Sequence, residues 1–286
     1  MSERIVIVGA TGQVGLALRR RFERDGRGHV ALGQREFDLT APDIAQRFGA
    51  LAPTAVINAA AWTDVRRAEE AANRRLVWEV NCHGPRRLAE ACAAADVPLI
   101  HLSTDYVFDG RARDPYKEDD APNPLQAYGA SKLDGENEVR RVYPRALIAR
   151  TSTVYGERPQ GPRHYVDAIL AQARERGALA VVRLPVSSPS YTPDIAAGLV
   201  YLLDAGATGL VHVVNDGAAS RHELARAAVR FAGFRIEVGE IEQPPDDLER
   251  PDYSVLDTSR YRALTGRTMR AWDEALREYV EGRVGA

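Results

Sequence analysis

Lysine is nearly absent from this chain of 286 residues. It occurs only at Lys117 and Lys132, so all but two of the 38 basic residues are arginine. Set against 40 acidic residues, these give a formal net charge of -2. That balance excludes a generally basic nucleic-acid binder and a polybasic protein of the membrane surface. Cysteine is as scarce. Cys82 and Cys92 sit ten residues apart in a helical pattern, which excludes a disulfide framework; without paired histidines they make no zinc pattern, and no metal is expected. Long hydrophobic runs are missing too. Ile5-Val6-Ile7-Val8 is too short for the core of a signal peptide, and nothing approaches the roughly 20 apolar residues of a spanning helix. The expectation is a reduced, cytoplasmic protein that contacts neither nucleic acid nor membrane. There is no internal repeat and no low-complexity tract, and the pairs Arg66-Arg67 and Arg86-Arg87 read as solvated helix faces.

What is present is a regular alternation. Short apolar runs at Ile5–Val8, Val30–Leu32, Val56–Asn58, Leu99–Ser103, Leu147–Ala149 and Val211–Val214 read as strands. Helical patterns at Gln13–Asp25, Asp43–Leu51, Arg74–Ala95 and Tyr128–Val142 lie between them. Continuous β-branched runs bounded by helices are what a parallel sheet covered on both faces requires, so the expected class is a doubly wound α/β fold. Past residue 150 the rhythm loosens. Loops are expected at Gly156–Pro162 and Gln243–Asp247, with helices at Tyr165–Arg176, Asp194–Leu203, after Ser220 and at Ala271–Val280. The division this suggests is a dinucleotide-binding Rossmann domain over residues 1–150, joined by the later strand near 210–215, and a smaller, interleaved substrate lobe over 151–286.

Gly9-Ala10-Thr11-Gly12-Gln13-Val14-Gly15 follows the first strand and opens the first helix. In this G-x-x-G-x-x-G spacing Gly9 allows the turn, Gly12 lets the backbone approach a pyrophosphate, and Gly15 lets helix and strand pack closely. The free N–H groups at the helix start favour an anion. Gly9, Thr11, Gly12, Gln13, Val14 and Gly15 are therefore the candidate cofactor turn. Some twenty residues on, where a ribose-reading residue is expected, Arg35 suits a 2′-phosphate and Glu36 a free ribose. Arg35 favours NADPH, with NADH as the alternative.

Tyr128-Gly129-Ala130-Ser131-Lys132 puts a phenol and an ammonium one helical turn apart. A tyrosine titrates near pH 10, too high for easy proton exchange at neutral pH, and a fixed cation beside it stabilises the phenolate. At the end of the fourth expected strand lies Ser103-Thr104-Asp105-Tyr106-Val107-Phe108-Asp109-Gly110, on the side of an open α/β sheet where ligands bind.

Together, the glycine turn, the hydroxyl pair and the Tyr-x-x-x-Lys helix resemble an extended short-chain dehydrogenase/reductase. Asn58-Ala59-Ala60-Ala61-Trp62-Thr63, Val80-Asn81, Ser103 to Gly110, Pro115-Tyr116-Lys117-Glu118 and Tyr128 to Glu136 resemble the dTDP-4-dehydrorhamnose reductase family. The match is dense over residues 5–156. It implies hydride delivery to the C4 carbonyl of a nucleotide-linked 6-deoxysugar. Tyr128 would be the proton donor, Lys132 would tune it and hold the ribose, and Thr104 would bond the carbonyl. It further implies that Asp38 and Leu39 flank adenine, that Ala59, Ala60, Ala61, Thr63, Asn81 and Ser103 line the cofactor, and that Asp105, Tyr106 and Thr153 neighbour the substrate. A homodimer is also implied.

The resemblance frays in the substrate half. Thr153 stands where the family carries tryptophan, His164-Tyr165-Val166 replaces Asn-Phe-Val, and Leu184 to Ser190 replaces an Asp-Gln-x-Gly-x-Pro-Thr element. Arg66 occupies an aspartate position, and Ala17 lacks the acid some members use at a dimer-interface magnesium site. Arg250-Pro251 with Ser254-Val255-Leu256 keeps the family's Arg-Pro…Ser-x-Leu pattern. Three alternatives follow. A dehydratase would need glutamate where Tyr106 stands. An epimerase–reductase of another sugar nucleotide would need a further acid–base pair, often Cys with His. Tyr116 to Pro124 also resembles the regulatory subunit of methionine adenosyltransferase, which implies a non-catalytic dinucleotide-binding subunit.

Overall fold

The computed structural model describes residues 3–158, 164–175, 177–241 and 247–284. The chain begins with β1 (Ile5–Val8), α1 (Gln13–Asp25), β2 (His29–Leu32), α2 (Ile44–Leu51) and β3 (Ala55–Asn58). Two short helices, α3 (Val65–Ala68) and α4 (Arg74–Trp78), lead through a π-helical turn at Glu79–His83 into α5 (Gly84–Ala94). Then come β4 (Leu99–Thr104), α6 (Ala127–Val142) and β5 (Leu147–Thr151). The remaining chain forms β6 (Val154–Tyr155), α7 (Tyr165–Glu175), β7 (Ala178–Val182), β8 (Val186–Ser187), β9 (Ser190–Tyr191), α8 (Thr192–Asp204) and β10 (Gly209–His212). It ends with β11 (Ala219–Ser220), α9 (Arg221–Phe231), β12 (Glu237–Ile241), α10 (Ser259–Thr265) and α11 (Trp272–Val284).

Six strands form one sheet in the order β10-β5-β4-β3-β1-β2, and every pairing is parallel. The doubly wound class expected from the apolar runs is what forms. Alternate residues explain the layering. Ile5, Ile7, Ile57, Ile100 and Val211 pack with Leu18 of α1 and Leu199 of α8 on one face. Val6, Val8, Val56, Leu99 and Ile148 pack with Phe48, Leu88 and Val139 of α2, α5 and α6 on the other. Each inner strand is thus apolar on both sides, which is why these runs do not alternate with polar residues.

The structure departs from the sequence expectation in several places. The single helix expected over Arg74–Ala95 is three pieces, because Pro85 has no N–H to donate back to the Asn81 carbonyl and Gly84 N–H reaches Glu79 instead, five residues back. The last sheet strand lies two residues earlier than expected, at Gly209–His212, although Val213 and Val214 remain buried. Arg87 is no solvated face residue: it donates to the Leu39 carbonyl at 2.9 Å and pairs with Glu79. The parallel pair β7–β12, unforeseen in the sequence, forms a small separate sheet. Part of the loop expected at Gly156–Pro162, most of that at Gln243–Asp247 and the end of the helix expected at Arg176 lie outside the described residues. No helix among the described residues is long and apolar enough to cross a membrane.

Candidate active site

The chain runs from β1 outward to β2 and then back across to β3, so the sheet's switch point lies between β1 and β3. Beyond the carboxyl ends of these strands the candidate residues converge. Gly9, at φ +82°, turns the chain out of β1; a Cβ there would lie 2.5 Å from the Ala60 amide nitrogen. At Gly15 a Cβ would stand 2.2 Å from the Gly9 carbonyl oxygen, so only glycine lets α1 lie this close to the turn. α1 begins at Gly12 with no side-chain cap and no acid in its first turn. The N–H groups of Gln13, Val14 and Gly15 are therefore available to an anion. Thr11 and Gly12 are exposed at the lip, and the Val14 side chain is core, leaving only its N–H for a ligand. Gln13 Nε2 reaches the Gly156 carbonyl at 3.5 Å.

Arg35 is exposed just past β2 and has no hydrogen bond or ion pair among the described residues. Asp38 Oδ1 accepts from the N–H and hydroxyl of Thr40 at 2.8 and 2.9 Å, closing a local turn. Leu39 is buried, with its carbonyl held by Arg87. Ala59, Ala60 and Ala61 are half-buried after β3, and Thr63 is exposed. Three interstrand steps separate β2 from β4, about 14 Å along the carboxyl edge, a span that suits an extended dinucleotide. A dinucleotide thus fits two features of this edge: uncapped helix N–H groups, and a turn in which a Cβ would meet backbone.

At β4 the chemistry-bearing side chains gather. Tyr128 and Tyr106 meet edge to face with ring centroids 5.9 Å apart. Burial raises the Tyr128 phenol above its ordinary pKa; the adjacent Thr104 hydroxyl pulls it down, and the Asp105 charge pushes it up again. Lys132 is 2% exposed and donates to the Leu102 carbonyl at 2.7 Å. The Lys132 ammonium is thus bonded to β4 backbone, with no hydrogen bond to the Tyr128 hydroxyl among the described residues. Burial pushes its ammonium down to about 8, and Glu136, one turn on, opposes that.

Behind the site a polar row runs across the sheet. Asn58 Oδ1 accepts the Ala60 N–H at 3.1 Å, so its amide nitrogen faces His101 Nδ1 at 3.0 Å. That assignment leaves the imidazole proton on Nε2. Burial, with the Lys132 charge, holds His101 well below its usual pKa and therefore neutral. Two residues further along β5, paired with Ser103, the Arg150 guanidinium grips Glu136 through bonds of 2.8 and 2.7 Å, both side chains being buried. The Ser103 hydroxyl is also buried here, without a hydrogen-bond partner among the described residues.

Two expected ligand residues have other work. The Asn81 amide is fully buried: Oδ1 accepts from Trp62 N–H at 2.8 Å, and Nδ2 donates to the Trp62 carbonyl and the Ser131 hydroxyl at 3.2 and 3.0 Å. It ties the alanine loop to α6, with no polar atom left for a cofactor. Asp105, expected beside the substrate, is 2% exposed. It accepts from the hydroxyls of Ser254 at 2.6 Å, Ser152 at 2.7 Å and Thr104 at 3.1 Å. Burial, the largest influence, raises its carboxyl pKa despite these three donors. Asp105 therefore pins the C-terminal chain onto the sheet edge. Thr153 stays half-buried at φ +38°, a strained conformation for a β-branched residue, with its hydroxyl 2.7 Å from Ser187 Oγ.

Among the residues missed by sequence reasoning, Glu136 and Arg150 stand 14 positions apart, and Asn58 and His101 43 apart. No local spacing announces such pairs. Among the described residues no group of three or more His, Cys, Asp and Glu side chains could hold a metal ion.

A doubly wound parallel sheet with a glycine turn at its switch point and a Tyr-x-x-x-Lys helix beside its fourth strand defines a Rossmann-type dehydrogenase/reductase. The chain belongs to the RmlD substrate binding domain family, whose pattern matches residues 3–284. A dTDP-4-dehydrorhamnose reductase of Mycolicibacterium smegmatis is 39% identical over 291 residues, covering 100% of this chain and 88% of its own. The spore coat polysaccharide biosynthesis protein SpsK of Bacillus subtilis is 33% identical, with 99% of each chain covered. Among solved structures, the dTDP-4-dehydrorhamnose reductase of Bacillus anthracis in complex with NADP superposes with a TM-score of 0.91 at 30% identity, covering 98% of this chain and 99% of that one.

Proposed function

We propose that this protein is an NADPH-dependent reductase of a nucleotide-linked 4-keto-6-deoxysugar, with residues 1–150 and β10 binding the dinucleotide and most of 151–286 forming the substrate lobe. The observation that carries the reading is the meeting of Thr104 and Tyr128 beyond β4, with Lys132 one turn further along the same helix, beside an uncapped helix start suited to a pyrophosphate. A dihydronicotinamide held there would supply the hydride. Gly9, Thr11, Gly12 and the N–H groups of Gln13, Val14 and Gly15 hold the pyrophosphate; Ala59, Ala60 and Ala61 leave room beside it.

Tyr128 gives its proton to the carbonyl oxygen as that oxygen gains charge. Burial keeps the phenol loaded at neutral pH, and the Thr104 hydroxyl, whose one proton goes to Asp105 in this structure, turns to the carbonyl oxygen when substrate binds. Lys132 braces the end of β4 through the Leu102 carbonyl, and its remaining donors are those that would reach the nicotinamide ribose. An epimerase with cysteine as its acid–base group is disfavoured: burial pushes Cys82 up to about 11 and Cys92 to about 12. Assembly as a homodimer in the cytoplasm belongs to the same reading.

The test is NADPH oxidation across a panel of nucleotide-linked 4-keto-6-deoxysugars. Dinucleotide binding with no turnover on any of them, together with tight association with another enzyme, would instead support a regulatory subunit. Arg35 gives a separate check on the cofactor. Arg35→Asp should reverse the preference, lowering kcat/KM with NADPH relative to NADH by about tenfold, since a guanidinium–phosphate contact is exchanged for a like-charge one. An unchanged NADPH/NADH ratio would remove Arg35 from the site.

A further inference from the structure

Helix α6 carries both Tyr128 and Lys132, yet its own sequence does not close its start. Gln126 stands at the N-cap position without a capping bond, its buried side-chain amide has no hydrogen-bond partner among the described residues, and the first turn holds no acid. The first N–H groups of a helix have no partner within it and need one from elsewhere.

That partner comes from 58 positions away. Glu69 Oε1 accepts the Ala127 N–H, immediately before Tyr128, at 2.6 Å. A carboxylate on such an N–H is a charge-assisted bond and is further favoured at a helix N-terminus. Glu69 closes the short helix α3, whose own start Asp64 caps by accepting the Arg67 N–H at 3.0 Å. Its neighbour Ala68 is buried against Val77 and Ala127, with the Tyr128 ring packed on the same cluster. The carboxylate is therefore delivered to α6 by a segment that is itself anchored.

A second tie runs from the same stretch of chain. Asn81 bonds both the N–H and the carbonyl of Trp62 and donates to the Ser131 hydroxyl, which in turn donates to the Tyr128 carbonyl at 2.7 Å. The segment leaving β3 thus holds Tyr128 twice, through its carbonyl and through the N–H just ahead of it. The first tie is buried, whereas Glu69 is exposed, so its truncation leaves no cavity in the core.

We propose that Glu69 is a positioning residue for the proton donor: its carboxylate seats the start of α6 so that the Tyr128 phenol meets the reacting carbonyl. This rests on the reading of Tyr128 as the donor and adds the residue that sets its placement. Glu69 acts through the helix and not on substrate or dinucleotide, so its loss falls on kcat.

The test is a double-mutant cycle with NADPH and an accepted keto-sugar. Glu69→Ala should lower kcat by about three- to tenfold, the factor by which a lost cap shifts the fraying of a helix start, and leave KM for NADPH within about twofold. Glu69→Gln keeps the acceptor oxygen and should restore most of kcat. In the Tyr128→Phe background Glu69→Ala should cost less than about twofold, because the group it positions is gone. An equal loss in both backgrounds overturns the proposal, as does parental kcat in Glu69→Ala. Amide hydrogen exchange gives a readout independent of turnover: the first turn of α6 should exchange about tenfold faster in Glu69→Ala and at the parental rate in Glu69→Gln. Parental exchange in Glu69→Ala also overturns the proposal. If Tyr128→Phe keeps full turnover while the exchange difference is seen, the tie of Glu69 to α6 stands and the reading of Tyr128 as donor fails.

Discussion

Tyr128→Phe is expected to lower kcat/KM for an accepted keto-sugar by about 10²- to 10⁴-fold, the usual worth of a positioned general acid. The substitution deletes one oxygen and keeps the ring. That ring contributes to the cluster around Ala68, Val77 and Ala127 and to the edge-to-face contact with Tyr106, so the thermal midpoint should not move appreciably. NADPH affinity should also hold, because the glycine turn and the alanine loop are untouched. Residual activity should come from Thr104, which still faces the carbonyl oxygen. Full turnover by Tyr128→Phe would show that the proton comes from elsewhere, and the reading of the site would fall with it.

The largest stability effect should come from the buried ion pair. Glu136→Gln leaves the Arg150 guanidinium almost fully buried without its counter-charge. Breaking such a pair from one side costs about 3–5 kcal/mol, which should lower the thermal midpoint by roughly 10 °C in a chain of this size. Replacing both partners, Glu136→Leu with Arg150→Met, should recover most of that loss, since no orphaned charge remains. The same change has a second readout. Glu136 is the charge that raises the Lys132 pKa against burial. Without it the ammonium deprotonates below about 8, so activity that depends on the cation is lost at lower pH and the alkaline limb of the kcat profile moves down. The double replacement should restore stability and leave that limb displaced. A single Glu136→Gln as stable as the parent would count against the pair's role.

The parts of this molecule visible in its sequence are those in which a physical requirement repeats locally. β1 is four apolar residues because it is covered on both faces, and Gln13–Asp25 has the bounds expected from its pattern. Gly9 and Gly15 stand where a side chain would strike backbone, so the turn is a local signature. Tyr128 and Lys132 share one helix, and helical spacing alone sets them on one side.

The misses have the opposite origin. Asn81 and Asp105 carry suitable chemistry in suitable motifs, but whether such a side chain meets a ligand or is consumed by neighbours depends on chain far away. Trp62 and Ser131 saturate the first, and Ser152 and Ser254 the second. Arg87 reads as one of two surface arginines until the Leu39 carbonyl arrives beside it. The small β7–β12 sheet escaped because only some of its residues face the core, and the pair is joined by a long connection.

Arginine's near-monopoly on positive charge has a practical consequence. The chain has two side-chain amines, and the fold treats them oppositely: Lys117 is exposed, whereas Lys132 is 2% exposed with its nitrogen bonded to the Leu102 carbonyl. An acylating dye or tether will find the first and be kept from the second. Beside the chain's α-amine, acylation should therefore yield one side-chain attachment point, an outcome that a lysine-studded enzyme of this size does not offer.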